Sequence, residues 1–319
     1  MKILVTGSEG SLMQAVIPKL VALGHEVTGV DNLSRYGKRP GHANCKYEFI
    51  QADLIDANIC HTLTYGQDAV IHGAALIFGV GGFHDRCADI LGRDTTLVTN
   101  MLRASCDHEV KRFVYISSSM VFERCETSEE FLINSPEVYK IPVTDYGLSK
   151  YMGERLCKAY FKQYGLEYTI WRPFNIITPY EKAGHEIGES HVFADFIHNI
   201  VHHDKNPLPI IGSGEQVRSF TWIEDVATGI ATHSFREATK NEDYNLGRNE
   251  PVTMVDLANR IHKIAIRKKL IAESKLTFET VKTFSDDVRK RVPSVAKAEM
   301  HLGWKAKTPL NEALEYCVK

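Results

Sequence analysis

Short apolar runs rich in β-branched residues alternate, through the first half of the chain, with longer stretches whose apolar positions recur at helical spacing. Lys2–Thr6 is the first run, and Gly7 ends it. Over 12–23 the apolar residues fall three and four apart, and Gly24 is a natural stop. Glu26–Asp31 reads as the next strand, which makes strand, glycine turn, helix, strand: one parallel βαβ unit. The alternation continues through runs at 47–52, 69–72, 112–117 and 167–172, with helical stretches between them. Runs such as Ala69-Val70-Ile71 are apolar at every position, as expected of a sheet covered by helices on both faces. The pattern predicts a doubly wound parallel α/β sheet over residues 1–175. After Pro173 the alternation weakens and Pro/Gly punctuation rises (Pro179, Gly184, Gly188, Pro207, Pro209, Gly212), so a smaller part is expected over 176–319.

Composition narrows the class. The chain has 319 residues, 44% of them hydrophobic and 24% charged, and a formal net charge of −2. That balance gives no reason to expect nucleic acid or an anionic membrane as partner. The basic clusters Arg267-Lys268-Lys269 and Arg289-Lys290-Arg291 read as solvated faces. No apolar run reaches the roughly 18–20 residues that span a bilayer, and the first residues lack a signal-peptide pattern. The seven cysteines are scattered, without a C-x-x-C pair. Neither a disulfide framework nor a metal site is expected, and a cytoplasmic location is.

Two stretches carry candidate chemistry. Gly7-x-x-Gly10 lies between a strand and a helix, where the backbone can approach a pyrophosphate and the helix N-terminus meets its charge. Asp31 ends the second strand, with Asn32 beside it. A carboxylate there accepts hydrogen bonds from ribose hydroxyls and repels a 2′-phosphate, so NAD is expected over NADP, with Lys38 and Arg39 as the nearby cations that could offset it. The second stretch is Tyr146-Gly-Leu-Ser-Lys150. A tyrosine and a lysine four apart share one helix face, so the ammonium is expected to lower the phenol's pKa from near 10 and make it a general base for an alcohol proton. The spacing alone also occurs by chance. Ser117-Ser118-Ser119 follows the run at 112–117, a position where serines also serve as a common turn device.

Together these features resemble the extended short-chain dehydrogenase/reductase superfamily, specifically its NAD-dependent nucleotide-sugar epimerase/dehydratase branch, over nearly the whole chain. The resemblance implies a Rossmann domain plus a smaller C-terminal α/β substrate-binding domain, with segments around 220–247 crossing back. It implies Ser118, Tyr146 and Lys150 as the catalytic set. Asp53-Leu54 resembles an adenine contact, though a strand-end turn reads the same way, and His72-Gly73-Ala74-Ala75 resembles a segment whose small residues leave room for the cofactor. Arg172-Pro173-Phe174-Asn175 implies Pro173 as a nicotinamide wall and Asn175 as a substrate contact. Gly212-x-Gly214-Glu215-Gln216-x-Arg218 through Val226 resembles a specific family stretch whose arginine pairs with a diphosphate, and Arg291 is a second candidate. The implied partner is a nucleotide-diphosphate sugar, and the implied assembly is a homodimer through the helices near 90–108 and 146–163. The chain departs from the family at Met13, where a third glycine is expected.

The same resemblance makes some absences informative. The family's dehydratases carry an acidic pair directly after the catalytic hydroxyl, where this chain has Ser119 and Met120. Its 3,5-epimerases carry a cysteine at the position of Met120. The reaction implied is therefore transient oxidation at C4 with hydride return on the other face, a 4-epimerisation. A 3,5-epimerase is the second expectation, because Phe78-Gly79-Val80-Gly81-Gly82-Phe83, Phe122-Glu123 and His191 resemble those enzymes. A 4-dehydrogenase/reductase, and a dinucleotide-binding scaffold without catalysis, complete the alternatives.

Overall fold

The computed structural model describes residues 1–37, 45–123, 141–184, 187–281 and 288–319. Lys38, Arg39, His185 and Glu186, named above or part of the loop before His191, lie outside the described residues. The strands of the large sheet are β1 (Lys2–Thr6), β2 (Glu26–Asp31), β3 (Glu48–Gln51), β4 (Ala69–His72), β5 (Arg112–Ile116), β6 (Tyr168–Pro173) and, much later in the chain, β11 (Glu242–Leu246). They run parallel in the order β3-β2-β1-β4-β5-β6-β11. This is the doubly wound Rossmann arrangement. Its order reverses between β1 and β4, and the crevice beyond the carboxyl ends of the strands there is where such sheets bind ligands.

The side-chain period of two divides each strand between two cores. Ile3 and Val5, Ala69 and Ile71, and Val114 and Ile116 pack on one face. Leu4, Val70, Phe113 and Tyr115 pack on the other. The first face is covered by α1 (Met13–Ala22) and α7 (Ile223–His233), tied by Lys19 to Glu224 at 2.7 Å. The second is covered by α2 (Ala57–Thr64), α4 (Cys87–Asp107) and α5 (Asp145–Tyr164), with α3 (Val80–Asp85) leading into α4.

Between β6 and β11 the chain builds most of the smaller part. Its elements are β7 (Ile176–Ile177), α6 (Val192–Ile197), β8 (Leu208–Ile211), β9 (Val217–Ser219) and β10 (Thr221–Trp222). After β11 come β12 (Pro251–Thr253), α8 (Met254–Arg267), β13 (Phe278–Val281), β14 (Lys290–Arg291), α9 (Ala296–Leu302) and α10 (Leu310–Cys317). Three small sheets result, ordered β12-β9-β14, β13-β8 and β10-β7.

Candidate active site

One cavity of about 400 Å3 runs from the glycine turn after β1 to the small sheet that holds β9 and β14. At its first end Gly7 has φ +69°, and a Cβ on it would come within 2.9 Å of the backbone of Gly73 and Ala74. Only glycine fits there. Gly10 follows, and α1 begins at Met13 with Leu12 at its N-cap position and no side-chain cap, so a pyrophosphate would meet bare backbone at a helix N-terminus. Asp31 accepts the Glu9 N–H at 3.0 Å and the Leu33 N–H at 2.7 Å, which fixes its carboxylate at the cavity rim. Asn32 donates to Asp53 at 3.1 Å, and Arg93 of α4 pairs with the same carboxylate. Leu54, Ala74, Ala75 and Pro173 line the same space.

Met13 finds its room across the turn. Its methyl carbon lies where a Cβ on Gly73 would need to be, 2.5 Å from that position. The clearance expected on the helix has moved to the strand-end loop, and the thioether fills it. His72, by contrast, is a core residue. It contacts Thr6 through Nδ1 at 2.9 Å, stacks near Phe113 and Tyr115, and is pushed down to about 3 by burial.

At the reacting end the three serines separate. Ser117 donates its hydroxyl to Glu154, a residue that does not line the cavity, at 2.6 Å. The Ser118 hydroxyl stands near the Tyr146 phenol and accepts the Met120 N–H at 3.2 Å. Ser119 is buried at the cavity wall. Thr144 caps α5 by accepting the Gly147 N–H at 3.1 Å, and Glu123 accepts the N–H groups of Val143 and Thr144, which seats Tyr146 in the first turn. The Lys150 ammonium lies 5.8 Å from the Tyr146 ring centroid and donates to the Ile116 carbonyl at 3.5 Å.

The phenol differs from the sequence expectation. Burial pushes Tyr146 up to about 12, against the downward pull of the nearby Ser118 hydroxyl, and burial also lowers the Lys150 ammonium while Asp94 resists. Desolvation outweighs the favourable charges that the chain itself provides.

At the far end Arg218 and Arg291 stand directly opposite each other in the parallel register of β9 and β14. Both are buried and both face the cavity. Arg291 also donates to Asn175 at 3.3 Å and touches the Met120 sulfur. Asn175 takes φ +35°, donates to the Ser219 carbonyl at 2.8 Å and accepts the Thr221 N–H through its own carbonyl. His191 caps α6, and its Nδ1 lies 2.7 Å from the Glu181 carboxylate, which also accepts the His191 N–H at 2.9 Å. Partial enclosure lowers the imidazole pKa, but Glu181 outweighs this and holds it above its usual value. Reciprocally, burial would raise Glu181, and His191 holds it below. Nearby Asp195 is pushed up to about 6 by burial, despite accepting from Ser190 and Gly188.

Among the described residues, every catalytic, cofactor-binding and substrate-binding candidate except Lys150 lines this one cavity, and Lys150 stands behind it, donating to the Ile116 carbonyl of the wall. Four others, none given a role of its own from the sequence, also belong here: Phe83, whose ring lies on Tyr146, Glu123 at the foot of α5, Asp94 beside Lys150, and Glu181 as the partner of His191; Phe83 and Glu123 stood only within the stretches that resemble 3,5-epimerases.

Known proteins resemble this chain in sequence and fold. The family described as NAD dependent epimerase/dehydratase matches residues 3–247. A putative UDP-glucose 4-epimerase of Methanocaldococcus jannaschii is 30% identical over 321 residues, covering 99% of this chain and 97% of that protein. GDP-mannose 3,5-epimerase of Arabidopsis thaliana is 30% identical over 270 residues, covering 82% of this chain and 68% of that one. Among solved structures, UDP-glucose 4-epimerase from Thermotoga maritima with UDP-glucose superposes with a TM-score of 0.83 at 26% identity, covering 100% of this chain and 97% of that one. The chain described here is a member of the NAD dependent epimerase/dehydratase family.

Proposed function

We propose that this protein is an NAD-dependent nucleotide-sugar 4-epimerase. The observation that carries the reading is the cavity itself: Ser118 and Tyr146 line one end and the paired Arg218 and Arg291 the other. Two guanidiniums side by side suit a diphosphate, because each fork offers parallel donors to phosphate oxygens. Gly7, Gly10, Asp31, Asn32, Asp53, Leu54, Ala74, Ala75 and Pro173 are assigned to the dinucleotide, and Asn175 to the substrate beside Arg291. A bound NAD would supply the hydride acceptor and donor for the sugar's C4. Tyr146 removes the C4 hydroxyl proton and later returns it, Ser118 holds that hydroxyl, and Lys150 holds the nicotinamide ribose and offers the positive charge that a phenolate needs. The arginine pair keeps the diphosphate anchored while the 4-keto sugar turns over. Asp31 assigns the cofactor as NAD, since a 2′-phosphate would face its carboxylate. Self-association through the outer side of α4 and α5, where Phe161 and Tyr164 are exposed, belongs to the same reading and is checked by sedimentation.

The Glu181–His191 pair favours a second reading. A histidine oriented by a buried carboxylate is a competent acid or base, and carbons next to a 4-ketone carry acidified C–H bonds, as 3,5-epimerisation requires. Incubating UDP- and GDP-sugars with the enzyme in heavy water separates the two. We expect a C4 epimer, no accumulated NADH and no deuterium on carbon. Deuterium at C3 or C5 that disappears in His191→Ala would replace the first reading with the second. Stoichiometric NADH with a free keto-sugar would make the protein a dehydrogenase.

A further inference from the structure

Phe83 lies flat on the ring of Tyr146, with centroids 4.5 Å apart and planes only 3° from parallel. Such a contact is worth more than the area it buries, and it covers one face of the group assigned as the base. Phe83 belongs to α3, a six-residue helix that begins in the glycine run after Phe78. That run is docked on the chain before α6. Gly79 donates to the Glu189 carbonyl at 2.8 Å, and Gly81 donates to the Gly188 carbonyl at 2.9 Å. The fit is tight at position 79. A Cβ there would lie 2.2 Å from the carbonyl oxygens of Gly188 and Ser190, well inside contact. From the other side Asp195 of α6 accepts the Gly188 N–H at 2.8 Å and the Ser190 hydroxyl. Residues 188–190 are therefore clamped between α6, in the smaller part, and α3, which carries the ring on Tyr146.

We propose that Phe83 is a positioning residue for Tyr146, and that it holds the phenol in place only while the glycine run of its helix is latched to residues 188–190. Segment 188–190 forms part of the wall around the substrate end of the cavity, next to His191. Seating that wall on a bound sugar nucleotide then also sets the base at the opposite end, through one backbone contact and one ring contact. The idea rests on the assignment of Tyr146 as the base, but the contact itself can be tested without any reaction.

The test uses the NAD-loaded enzyme with isotope-labelled tyrosine and reads the Tyr146 ring signals, identified by their loss in Tyr146→Phe. A face-stacked neighbour shifts those signals upfield. The shift is expected in the wild type and in Phe83→Tyr, which keeps a ring, and is expected to vanish in Phe83→Leu. It should also shrink in Gly79→Ala, which touches neither ring but sterically prevents the latch from seating. Gly81→Ala is the control, because its Cβ would meet nothing nearer than 3.4 Å. Should Gly79→Ala not fold, Asp195→Ala loosens 188–190 from its other side. Turnover of the nucleotide sugar should fall by roughly tenfold in kcat for Phe83→Leu and Gly79→Ala, with KM changed far less, and Phe83→Tyr should retain it. A Tyr146 signal in Gly79→Ala and Asp195→Ala identical to that of the wild type would overturn the coupling, and an unchanged kcat in Phe83→Leu would overturn the positioning role. If no nucleotide sugar is turned over by the wild type, the functional reading falls while the ring shifts still decide the contact.

Discussion

Met13 and Gly73 form a pair in which each residue explains the other. A glycine at the first turn of such a helix leaves room for the neighbouring strand end, and a methionine there would be expected to weaken the cofactor turn. Here the strand-end residue is the one without a side chain, and the Met13 methyl carbon occupies the space. Met13 is 2% exposed, so its side chain adds apolar burial instead of strain. The exchange makes a prediction about both positions. Gly73→Val overpacks the site and should cost about 1–3 kcal/mol in stability, with a matching loss of NAD affinity. Adding Met13→Gly should recover a large part of that loss, because residues in contact couple by roughly 0.5–3 kcal/mol. Urea unfolding and calorimetric NAD binding of the four proteins in the cycle measure it. Strictly additive losses would mean that the two side chains do not share the space.

At the scale of elements, α5 is the part on which the chemistry is mounted. Tyr146, Lys150 and Glu154 recur four apart, so one face carries the candidate base, its lysine and the carboxylate that anchors them. Glu154 accepts from Ser117 at the end of β5 and from Arg172 in β6, which locks the helix against the two strands whose ends frame the site. Ser117→Ala should therefore cost about 1 kcal/mol of stability and leave turnover close to that of the wild type, whereas Ser118→Ala should lower kcat with little loss of stability. Thermal melts and kinetics on the two variants check the contrast, and equal losses of turnover in both would remove the distinction. The strands and long helices were legible because their periods are local. The elements 2–6, 12–23, 26–31, 69–72 and 112–117 recur within one residue or two of the observed bounds. The short helix α3 was not legible, since a segment holding Gly81 and Gly82 has poor helix propensity. It forms where glycine lets its backbone meet residues 188–190. Arg218 was legible from its surrounding stretch, but its pairing with Arg291 depends on a strand register set 73 residues later. The Phe83–Tyr146 stack is likewise a contact between distant segments, and no local pattern announces it.

For the whole molecule, the least exposed charges lie where the crossing-back segment meets the main sheet. Arg172 is fully buried, forked onto Glu154 at 2.7 Å and reaching Asp243 of β11 at 3.2 Å. Lys158 of α5 and Lys297 of α9 approach the same Asp243 at 3.2 and 3.5 Å. Burial alone would raise Asp243, but Arg172, Lys297 and Lys158 outweigh it and bring it down to about 2. An unfolded aspartate titrates near 3.9. A depressed folded value means stability that is fully present above about pH 4 and lost as pH falls toward 2, an amount on the order of 2 kcal/mol. Asp195 has the opposite sign. Its folded value near 6 lies above the unfolded one, so its charged form costs stability above pH 6, and that cost is relieved as pH falls from 6 toward 4. The two windows do not overlap, and they separate the wall of the site from the frame of the molecule. Unfolding free energies from urea melts, taken from pH 7 down to 2.5, should show it. Asp195→Asn should be flatter than the wild type between pH 6 and 4, and more stable than it at pH 7. Asp243→Asn should be less stable at pH 7, because Arg172 is left short of a partner, and flatter below pH 4. If Asp243→Asn runs parallel to the wild type below pH 4, Asp243 does not carry the acid sensitivity of the frame, and the acid limb belongs to other carboxylates.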